Sequence, residues 1–564
     1  MAKNHDKYKN HSREELIDEL ETLKKKKYGL VWDKKNSQEM LDAFVNWENV
    51  PENFTPKQFP VLKEVKNKEI ETDKTKPVNL LLEGDNYHSL AVLNFTHQNK
   101  VDVIYIDPPY NTGNNDFIYN DKFIDREDPF RHSKWLSFME KRLRLAKNLL
   151  KKSGVIFISI NDIEVAQLKM LCDEIFDENN FVGALIWRKK EGGGQADAYF
   201  ATEHEYILVY AKSKNFKWLD EEIPIEEAEF NKEDENGKFT AVKLAKWGNT
   251  ARREDRPKMY YSIKSPEGSG VYPVAPDGGD GRWRVGKKRM DMLIEKGLIF
   301  WQKKENKWLP YEKVYFSEGE VKKIKERSIL FDLATTADGT NELTQIFGKK
   351  DIFPNPKPTE LIKFFLLYGA KSDAVILDFF AGSGTTAQAV LNLNKEDKGN
   401  RKFILCTNNE NGICTDVCYP RVYKVANGYK DSKGDKVAGL GGNLKYFKTD
   451  FVGSDSTDKN KRDLVNKSTE MICIKEDIFD LVVDKGQDFK IFRKDKRFLG
   501  VIFDIDAISN FKKEAEKNKG NFVVYCFSYT EAAPEKEFKG LKNKYFLKPI
   551  PAVILRIYLE IFKK

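Results

Sequence analysis

The feature that most constrains the fold of this chain is an apolar strand that ends abruptly in two prolines. Val103 to Ile106 has the composition of a buried strand, and Asp107, two prolines and Tyr110 follow it directly. Proline donates no ladder hydrogen bond and fixes φ, so the chain must leave the sheet at the carboxyl end of this strand. Open α/β sheets bind their ligands at that edge.

The residues of this loop suit a planar ligand that carries an amino group. The Asp107 carboxylate can accept N–H bonds, Pro108 and Pro109 hold nearby carbonyl groups still, and Tyr110 offers a flat aromatic face. A plainer interpretation is a strand-end turn in which Asp107 is a cap and Tyr110 packs at the rim. The apolar strand before the loop, together with a second motif further along the chain, favours the ligand site.

The second motif is a glycine loop that also follows a strand. A buried strand ends at Asp378 and continues through Phe379 into a turn with Gly382 and Gly384, after which Thr385 opens a helix. The glycines let the backbone turn tightly and approach a ligand closely. A dinucleotide-binding loop is the rival interpretation, but its third glycine is missing and the chain has no phosphate-loop Gly-Lys-Ser/Thr. A cofactor with an adenosine and no pyrophosphate fits better.

The order of the predicted elements indicates the fold class. Strands alternate with helices both before and after residues 215–350, which predicts an α/β fold with a doubly wound, mostly parallel sheet. The predicted strands are 79–83, 103–106, 154–160, 181–187, 205–210, 374–378 and 403–406, and the predicted helices include 135–150, 165–176, 359–368 and 387–393. The region 215–350 therefore interrupts a single core.

Residues 215–350 interleave basic with aromatic side chains. Cations can bind phosphates and base edges, and rings can stack on bases, so this region is predicted to contact nucleic acid. The candidate contacts are Arg252, Arg253, Arg256, Arg282, Trp283 and Arg284. The net charge of +8, from 96 basic and 88 acidic residues, is compatible with nucleic acid but does not establish it. The alternative is an ordinary α+β insertion whose aromatic residues form its core.

Length and composition predict the remaining domains. A chain of 564 residues is too long for one core. The predicted regions are a helical N-terminal part at 1–70 with a helix over 12–27, core halves at 71–214 and 351–452, a linker at 453–467 and a small α+β domain at 468–564.

Composition also limits the compartment and the metal chemistry. The chain has no run of about 18 apolar residues and no evident secretory signal, so we expect a cytoplasmic protein without a membrane span. Six cysteines are sparse for this length and predict no disulfide framework. The one close pair, Cys414 and Cys418, lacks the further ligands of a zinc site, so we expect no metal.

The motif Asp107-Pro108-Pro109-Tyr110 resembles the catalytic motif of the DNA methyltransferases that methylate the exocyclic amino group of adenine or cytosine. The resemblance implies that these four residues are catalytic. The Asp form is usual for adenine, which implies N6-methyladenine as product. It also implies that the target adenine is flipped out of the duplex, that Tyr110 stacks on it, and that the Asp107 carboxylate and the Pro108 carbonyl accept its amino hydrogens.

The glycine loop is similar to the S-adenosylmethionine loop of the same family, which implies S-adenosyl-L-methionine as cofactor. The residues that the resemblance assigns to this cofactor are Asp85, Lys357, Pro358, Asp378, Phe379, Gly382, Gly384, Thr385 and Glu410. Within this set, Glu410 stands where the family places an acid on the ribose hydroxyls. Lys357 with Pro358 resembles the segment that holds the amino-acid end of the cofactor.

The order of the motifs, catalytic before cofactor with an insertion between them, resembles the circularly permuted beta class of this family. The resemblance implies a seven-stranded, Rossmann-like core and a target-recognition role for the insertion. Sequence around Asp85, Trp135, Glu205 and Gly339 narrows the likeness to Mod subunits of type III restriction–modification systems. That likeness implies double-stranded DNA, a homodimer and a possible restriction (Res) helicase-nuclease partner. The rival functions are a solitary adenine methyltransferase, a DNA-recognition subunit without catalysis, and a small-molecule or protein methyltransferase.

Overall fold

The computed structural model describes residues 12, 58–113, 118–119, 122–123, 127–128, 130–192, 199–317, 321–454, 457–530 and 532–562. Apart from Ser12, the helix predicted over 12–27 lies outside the described residues. The chain divides into two compact units, one of residues 1–219 with 327–564, here called the sheet unit, and one of residues 220–326, here called the insert. No helix in the described ranges is both long and apolar enough to cross a membrane.

The first part of the sheet unit alternates strands with helices. Its strands are β1 (Gln58–Glu64), β2 (Val78–Glu83), β3 (Val101–Ile106), β4 (Ile118–Tyr119), β5 (Lys122–Phe123), β6 (Leu150–Ile160), β7 (Phe181–Arg188) and β8 (His204–Ala211), and its helices are α1 (Asn86–His97), α2 (Arg131–Leu149) and α3 (Val165–Phe176). The start of α1 is fixed by Asp85, whose carboxylate accepts a hydrogen bond from the Tyr87 amide at 2.7 Å.

The insert is a small α+β unit. Its elements are β9 (Glu221–Pro224), β10 (Lys232–Asp234), β11 (Gly237–Lys243), β12 (Ile263–Lys264), β13 (Gly270–Val271), α4 (Lys287–Glu295), β14 (Ile299–Lys304), β15 (Lys307–Tyr315) and β16 (Val321–Ile324). Strands β10, β11, β15 and β14 form an antiparallel sheet. Its core is small and includes Leu244, Ile263, Trp283, Met290 and Leu293.

The second part of the sheet unit completes the main sheet and adds a smaller one. Its elements are β17 (Ile329–Leu330), α5 (Thr336–Phe347), α6 (Thr359–Gly369), β18 (Val375–Asp378), α7 (Thr385–Asp397), β19 (Lys402–Thr407), α8 (Tyr419–Asn427), β20 (Gly428–Lys430), β21 (Lys436–Ala438), β22 (Asn443–Gly453), α9 (Asp458–Lys467), α10 (Thr469–Glu476), β23 (Asp480–Asp484), β24 (Phe489–Lys494), β25 (Arg497–Ile502), α11 (Ile508–Glu516), β26 (Asn521–Phe527), β27 (Tyr545–Ile550) and α12 (Ala552–Phe562).

The main sheet has the order β1-β22-β2-β19-β18-β3-β6-β8-β7-β17. Strands β22, β2, β19, β18, β3 and β6 run parallel to one another, and β8 runs antiparallel between β6 and β7. The seven central strands, β2 to β7 in this order, contain both halves of the sequence on either side of the insert. The prediction of a doubly wound, circularly permuted α/β core is therefore confirmed.

Alternating residues of the parallel strands supply two core layers. In β3, Ile104 and Ile106 pack on the side of α1, α2 and α3, whereas Val103 and Tyr105 pack on the side of α6 and α7. Successive side chains of a strand point to opposite faces. Because helices cover both faces, the strands are apolar throughout and show no alternation in sequence.

Three predicted boundaries differ from the structure. The region 1–70 was expected to be helical, but residues 58–64 form β1, which pairs with β22. The insertion was expected to reach residue 350, but Ile329–Leu330 pairs with β7 in the main sheet. The polar stretch 453–467, predicted as a linker, contains α9, whose Leu464 and Val465 are buried. The polar composition of this stretch did not indicate a helix, because α9 places only two residues in the core.

The C-terminal part is α+β as predicted, but it does not form a unit of its own. Strands β23 to β27 form a five-stranded mixed sheet in sequence order. One face of this sheet has its own core, which includes Phe489 and Phe511. The other face, with Leu499 and Tyr525, joins the core layer that covers α1 and α2. Helix α12 adds a further link, because the Tyr558 hydroxyl donates to the Pro60 carbonyl at 2.6 Å.

Candidate functional site

Four consecutive strand ends bring the predicted site residues to one edge of the main sheet. Strands β2, β19, β18 and β3 are neighbours and parallel, so their carboxyl ends lie side by side. Asp85 follows β2, Glu410 follows β19, the glycine loop follows β18, and Asp107 follows β3. Neighbouring strands lie about 4.8 Å apart, so the two predicted half-sites adjoin each other.

The loop after β3 is held by side chains from two helices. The indole Nε1 of the buried Trp135 donates to the Pro109 carbonyl at 2.7 Å. Asn111 adopts φ +57°, and its amide donates to Glu164 Oε1 at 2.6 Å. The Nδ1 atom of His132 lies 2.7 Å from the same oxygen. These contacts leave the loop little freedom, so the position of Asp107 is determined by the fold.

Asp107 belongs to a group of charged side chains that we call the Asp107 cluster: Asp107, Tyr110, Glu205, Lys357 and Lys189. The Lys357 ammonium lies 3.1 Å from Asp107 Oδ1 and 3.2 Å from Glu205 Oε2, and it donates to the Tyr110 hydroxyl at 3.0 Å. The Tyr110 hydroxyl donates to Asp107 Oδ1 at 2.8 Å. Lys189 donates to Glu205 Oε1 at 3.2 Å. Lys357 thus has an acceptor for each of its three hydrogens.

The electrostatics of the cluster separate its two carboxyl groups. Burial raises the pKa of Asp107, Lys357 partly offsets this, and the neighbouring Glu205 adds to it. Burial would also raise the pKa of Glu205, but Lys357 and Lys189 outweigh it and hold that pKa below its usual value. The pKa of Lys357 is raised, because the two carboxylates outweigh its burial. Asp107 is therefore the carboxyl group of the cluster that protonates first.

Asp378, the last residue of β18, holds the glycine loop in place through hydrogen bonds. Its Oδ1 accepts from the Phe380 amide at 3.0 Å and its Oδ2 accepts from Thr386 Oγ1 at 2.5 Å, while burial raises its pKa to about 7. Gly382 and Gly384 adopt φ +49° and +81°. Both oxygens of Asp378 are engaged inside the protein, so this residue shapes the loop.

The two glycines are required by close packing as well as by φ. A Cβ atom on Gly384 would lie 3.2 Å from Cys418 Sγ, and one on Gly382 would lie 3.3 Å from the Phe353 ring. Phe379, also predicted for the cofactor, is fully buried, and its carbonyl accepts from the Asn86 amide at 2.8 Å. The loop is thus packed against Cys418 and Phe353, and Gly382 within it is partly exposed.

A buried arginine connects this loop to α5 and α6. The Arg421 side chain, fully buried on α8, donates through Nη1 to Thr385 Oγ1 at 2.7 Å and to Ser383 Oγ at 3.1 Å. Its Nη2 lies 3.3 Å from Glu342, which accepts from the Thr359 amide at 3.1 Å. Burial lowers the pKa of Arg421 to about 10. Arg421 thereby joins the glycine loop, α5 and the first turn of α6.

Lys357 connects the two half-sites. Its carbonyl accepts from Thr385 Oγ1 at 3.2 Å, so its backbone supports the glycine loop. Its ammonium contacts Asp107 in the loop after β3, and its predicted place near the cofactor stays a prediction. Pro358 is buried at the start of α6. Helix α5 can approach this segment only because residue 339 is glycine, since a Cβ there would lie 2.2 Å from the Pro356 carbonyl.

Two acidic residues that were predicted to bind the cofactor lie at the same edge of the sheet but differ in their contacts. Glu410 is exposed in a short 3-10 turn just beyond β19, where Asn408 donates to it at 3.4 Å. Asp85 is engaged by the Tyr87 amide, and it pairs with the fully buried Arg142 at 3.2 Å. Glu410 is therefore open to a ligand, whereas the carboxylate of Asp85 already caps α1 and compensates a buried cation.

The six residues of the insert that were predicted to contact DNA fall into an exposed group and a buried group. Arg252, Arg253, Arg256 and Arg284 are exposed, and Arg253 pairs with Asp280 at 3.0 Å. The other two contradict the prediction. Trp283 is fully buried, with its Nε1 donating to the Tyr261 carbonyl at 2.8 Å, and Arg282 is 6% exposed and donates to the Thr250 carbonyl. Trp283 belongs to the core of the insert, and Arg282 is buried beside it, so neither is exposed for a DNA contact.

Sequence reasoning missed the roles of several site residues. Glu205 was noted only as part of a family likeness, although an acid at the start of an apolar strand is a signal that the pattern offers. Because β8 runs antiparallel to β6, its amino end lies at the same edge of the sheet as Asp107. Helix segments of ordinary composition contain Arg421 and Glu342, and Glu164 directly precedes α3. Nothing in that pattern indicates that they converge on the two loops.

Comparisons with known proteins agree with this geometry. The sequence model of a family described as DNA methylase matches residues 101–416. The EcoPI Mod subunit of a type III restriction-modification enzyme of Escherichia phage P1 is 36% identical over an alignment of 432 residues, and the match covers 69% of this chain and 64% of that protein. The type II methyltransferase M.KpnI of Klebsiella pneumoniae is 35% identical over 387 residues, 65% of this chain and 90% of that protein.

The match to a further relative covers nearly the same share of both chains as the first match. The EcoP15I Mod subunit of Escherichia coli is 31% identical over 435 residues, 68% of this chain and 64% of that protein. This chain thus matches less than two thirds of the length of these two Mod subunits, but nearly all of the type II methyltransferase.

Proposed function

The chain belongs to the DNA methylase family, and from this premise we propose that it transfers a methyl group from S-adenosyl-L-methionine to the N6 amino group of adenine in double-stranded DNA. One observation carries the proposal. Asp107 and Tyr110 are held in a rigid loop at the strand end next to the glycine loop, and Lys357 connects the two loops. An acceptor for an amino group and a binding loop for a methyl donor are thereby adjacent.

The residues at this edge fit the proposed cofactor. The exposed Glu410 carboxylate can accept hydrogen bonds from two ribose hydroxyls, and the turn with Gly382 and Gly384 lies at the same edge of the sheet, with Gly382 partly exposed. Thr385, Arg421 and the Lys357 carbonyl keep that turn in place. When bound there, S-adenosyl-L-methionine would supply an electrophilic methyl group, so no metal and no covalent nucleophile are required.

The chemistry assigned to the chain is orientation and charge stabilisation. Asp107 uses Oδ1 for Tyr110 and Lys357, and its Oδ2 can accept one hydrogen of the adenine amino group. The Pro108 carbonyl accepts the other hydrogen. Both contacts draw the nitrogen toward a tetrahedral geometry and direct its lone pair at the methyl donor. A preorganised acceptor in a water-poor site is worth several kcal/mol in such reactions, about 3–4 for a single group.

Tyr110 is assigned to the flipped base itself. Its ring is half-buried and fixed by the hydroxyl contacts to Asp107 and Lys357. Flipping a base costs a few kcal/mol, and stacking on an aromatic ring recovers about 1–3 kcal/mol per base. A ring that is already oriented loses little conformational entropy when the base arrives.

The insert is assigned to recognition of the target sequence. Its exposed arginines, Arg252, Arg253, Arg256 and Arg284, can bind phosphates or the major-groove edge of guanine. Recognition by the insert would leave the sheet unit free for chemistry common to the family. We place this activity in the cytoplasm, where the chain would meet cellular DNA.

We further propose that the chain acts as the modification subunit of a type III restriction–modification system, as a homodimer with a restriction (Res) helicase-nuclease partner. The similarity to two Mod subunits supports this role. A solitary methyltransferase is the second candidate, favoured by the 90% coverage of the type II enzyme. Methylation of one strand of an asymmetric site favours the first candidate, and equal methylation of both strands of a palindrome favours the second.

The test is to express the chain in a host that lacks DNA methylation. Mass spectrometry of the digested host DNA should detect N6-methyladenine, and strand-resolved sequencing should locate it at one short site. The control is Asp107→Asn, which keeps the size of the side chain but removes its charge. It should bind S-adenosyl-L-methionine normally and lose methylation by a factor of roughly 10² or more. N4-methylcytosine without N6-methyladenine would refute the assignment to adenine.

A further inference from the structure

One ammonium group serves two carboxylates in the Asp107 cluster. The Lys357 Nζ atom lies 3.1 Å from Asp107 Oδ1 and 3.2 Å from Glu205 Oε2. All three side chains are largely out of solvent: 9% of Lys357, 9% of Glu205 and 29% of Asp107 remain exposed. Screening by water is weak for such groups, so a change in the charge of one member acts strongly on the others.

The surroundings of Asp107 contain no other cation at contact distance among the described residues. From its own loop it is faced by the Tyr110 hydroxyl, and from β8 by Glu205. Asp378 at the end of β18 and Tyr105 in β3 lie further off and are respectively acidic and neutral. Lys189 contacts Glu205 and stands at the far side of that carboxylate. The charge of Asp107 therefore depends on Lys357 on one side and Glu205 on the other.

We propose that Lys357 and Glu205 are positioning residues that set the protonation state of Asp107, with opposite signs, and thereby fix the lower pH limit of methyl transfer. The inference rests on the proposed function, in which the ionised Asp107 accepts an amino hydrogen. Lys357 stabilises the ionised form by direct contact. Glu205 destabilises the ionised form of Asp107 because the two carboxylates carry like charges. It also competes with Asp107 for the Lys357 ammonium.

The sign of each effect follows from this arrangement. An Asp107 that must be ionised loses function as the pH falls through its pKa. Removal of Lys357 leaves two carboxyl groups side by side, which raises the pKa of Asp107 and moves the loss to higher pH. Removal of the Glu205 charge lowers the pKa of Asp107 and moves the loss to lower pH. Removal of both returns the site to one carboxyl group without a close cation or a close acid.

The experiment measures the single-turnover rate of methylation between about pH 5 and 9 at saturating cofactor and duplex DNA. The acid midpoint of Lys357→Met should rise by roughly 1–3 pH units, the range in which one close charge shifts a carboxyl group. The midpoint of Glu205→Gln should fall below the wild-type value. The double variant Lys357→Met/Glu205→Gln should recover a midpoint between those of the single variants. A structural role for either residue would lower the rate without moving the midpoint in opposite directions.

Two matched variants control for the loss of a lysine. Lys357→Arg keeps the positive charge and should keep the midpoint near that of the wild type. Lys363→Met removes a lysine from α6 that pairs with Glu360 and Glu396 and does not contact the cluster. Its midpoint should be unchanged. A wild-type midpoint in both Lys357→Met and Glu205→Gln would overturn the proposal, as would shifts of the same sign. Should Lys357→Met fail to fold, the downward shift in Glu205→Gln decides alone.

A direct titration separates this inference from the proposed function. Carboxyl ¹³C NMR of aspartate-labelled protein, with Asp107→Asn as the difference reference, follows the protonation of Asp107 without any turnover. Opposite shifts of this titration in Lys357→Met and Glu205→Gln support the inference even if the wild type methylates no DNA, in which case the proposed function fails alone. An Asp107 titration that neither variant moves refutes the inference even in an active enzyme.

Discussion

The Asp107 cluster of the sheet unit and the arginine surface of the insert are both rich in charge, but their charges are held differently. In the cluster, Lys357 is 9% exposed and contacts three partners. In the insert, Arg252 and Arg253 are 66% and 51% exposed, and their carboxylate partners are about as exposed. Buried charges must be compensated by neighbours in fixed positions, whereas exposed charges are compensated mainly by water.

This difference suits the proposed division between a site for chemistry and a surface for recognition. A buried charge network has one geometry and shifted pKa values, which suits the orientation of an amino group. Exposed arginines can leave their carboxylate partners at little cost and bind a polyanion instead. The insert also has a much smaller core than the sheet unit, so its charged face depends on a few buried residues.

The largest expected effect is a loss of stability when the core of the insert is disrupted. Trp283→Ala should destabilise the insert by about 3–5 kcal/mol, because Trp283 is the largest side chain of a small core and donates to the Tyr261 carbonyl. Thermal unfolding and limited proteolysis within 220–326 would measure this loss. The control is Trp247→Ala, a change to a tryptophan that is 54% exposed in the same unit, expected to cost about 1 kcal/mol or less. Equal losses would contradict the assignment of Trp283 to the core.

The second prediction concerns the buried arginine next to the cofactor loop. Arg421→Lys keeps a charge opposite Glu342 but cannot reach Thr385 and Ser383 together. The KM for S-adenosyl-L-methionine should rise roughly 10-fold or more, since hydrogen bonds from a charged group contribute about 1.5–3 kcal/mol. DNA affinity, measured without cofactor, should stay unchanged.

The control for this variant is Arg401→Lys, a buried arginine of the same unit that pairs with Asp397 on α7 at 2.7 Å. It should lower stability without a selective effect on the cofactor. If both variants raised the KM equally, the effect of Arg421 would be one of general stability. A rise of the KM in Arg421→Lys alone would show that the glycine loop depends on the hydrogen bonds from Arg421.

The smallest expected effect lies on the insert surface. Arg253→Ala breaks an exposed pair with Asp280 and should change stability by only about 0.2–1 kcal/mol. If Arg253 binds a phosphate, DNA affinity should fall alike for all sequences and the salt dependence should decrease by about one ion. A loss confined to one base pair of the target would instead assign Arg253 to base recognition. Asp280→Asn, which frees the same arginine, should not weaken DNA binding.

Much of the sheet unit could be predicted from the sequence because its signals are local. The strand before Asp107, helix α3 over Val165–Phe176 and helix α6 over Thr359–Gly369 were predicted with few or no boundary errors. Apolar runs, prolines and positive-φ glycines act within a few residues. The bounds of the insert were less accurate, since residues 327–350 are polar in sequence although they contain β17 and α5 and belong to the sheet unit.

The sequence by itself determined where the two loops lie, because a buried strand that meets Pro108 and Pro109, or Gly382 and Gly384, has to end there. Only the tertiary structure decided which side chains surround those loops. Glu205 reaches Asp107 because β8 is antiparallel and begins at the catalytic edge. Trp283 is core and not surface because of long-range packing. Burial and charge compensation depend on neighbours that are tens to hundreds of residues apart, and no local pattern encodes them.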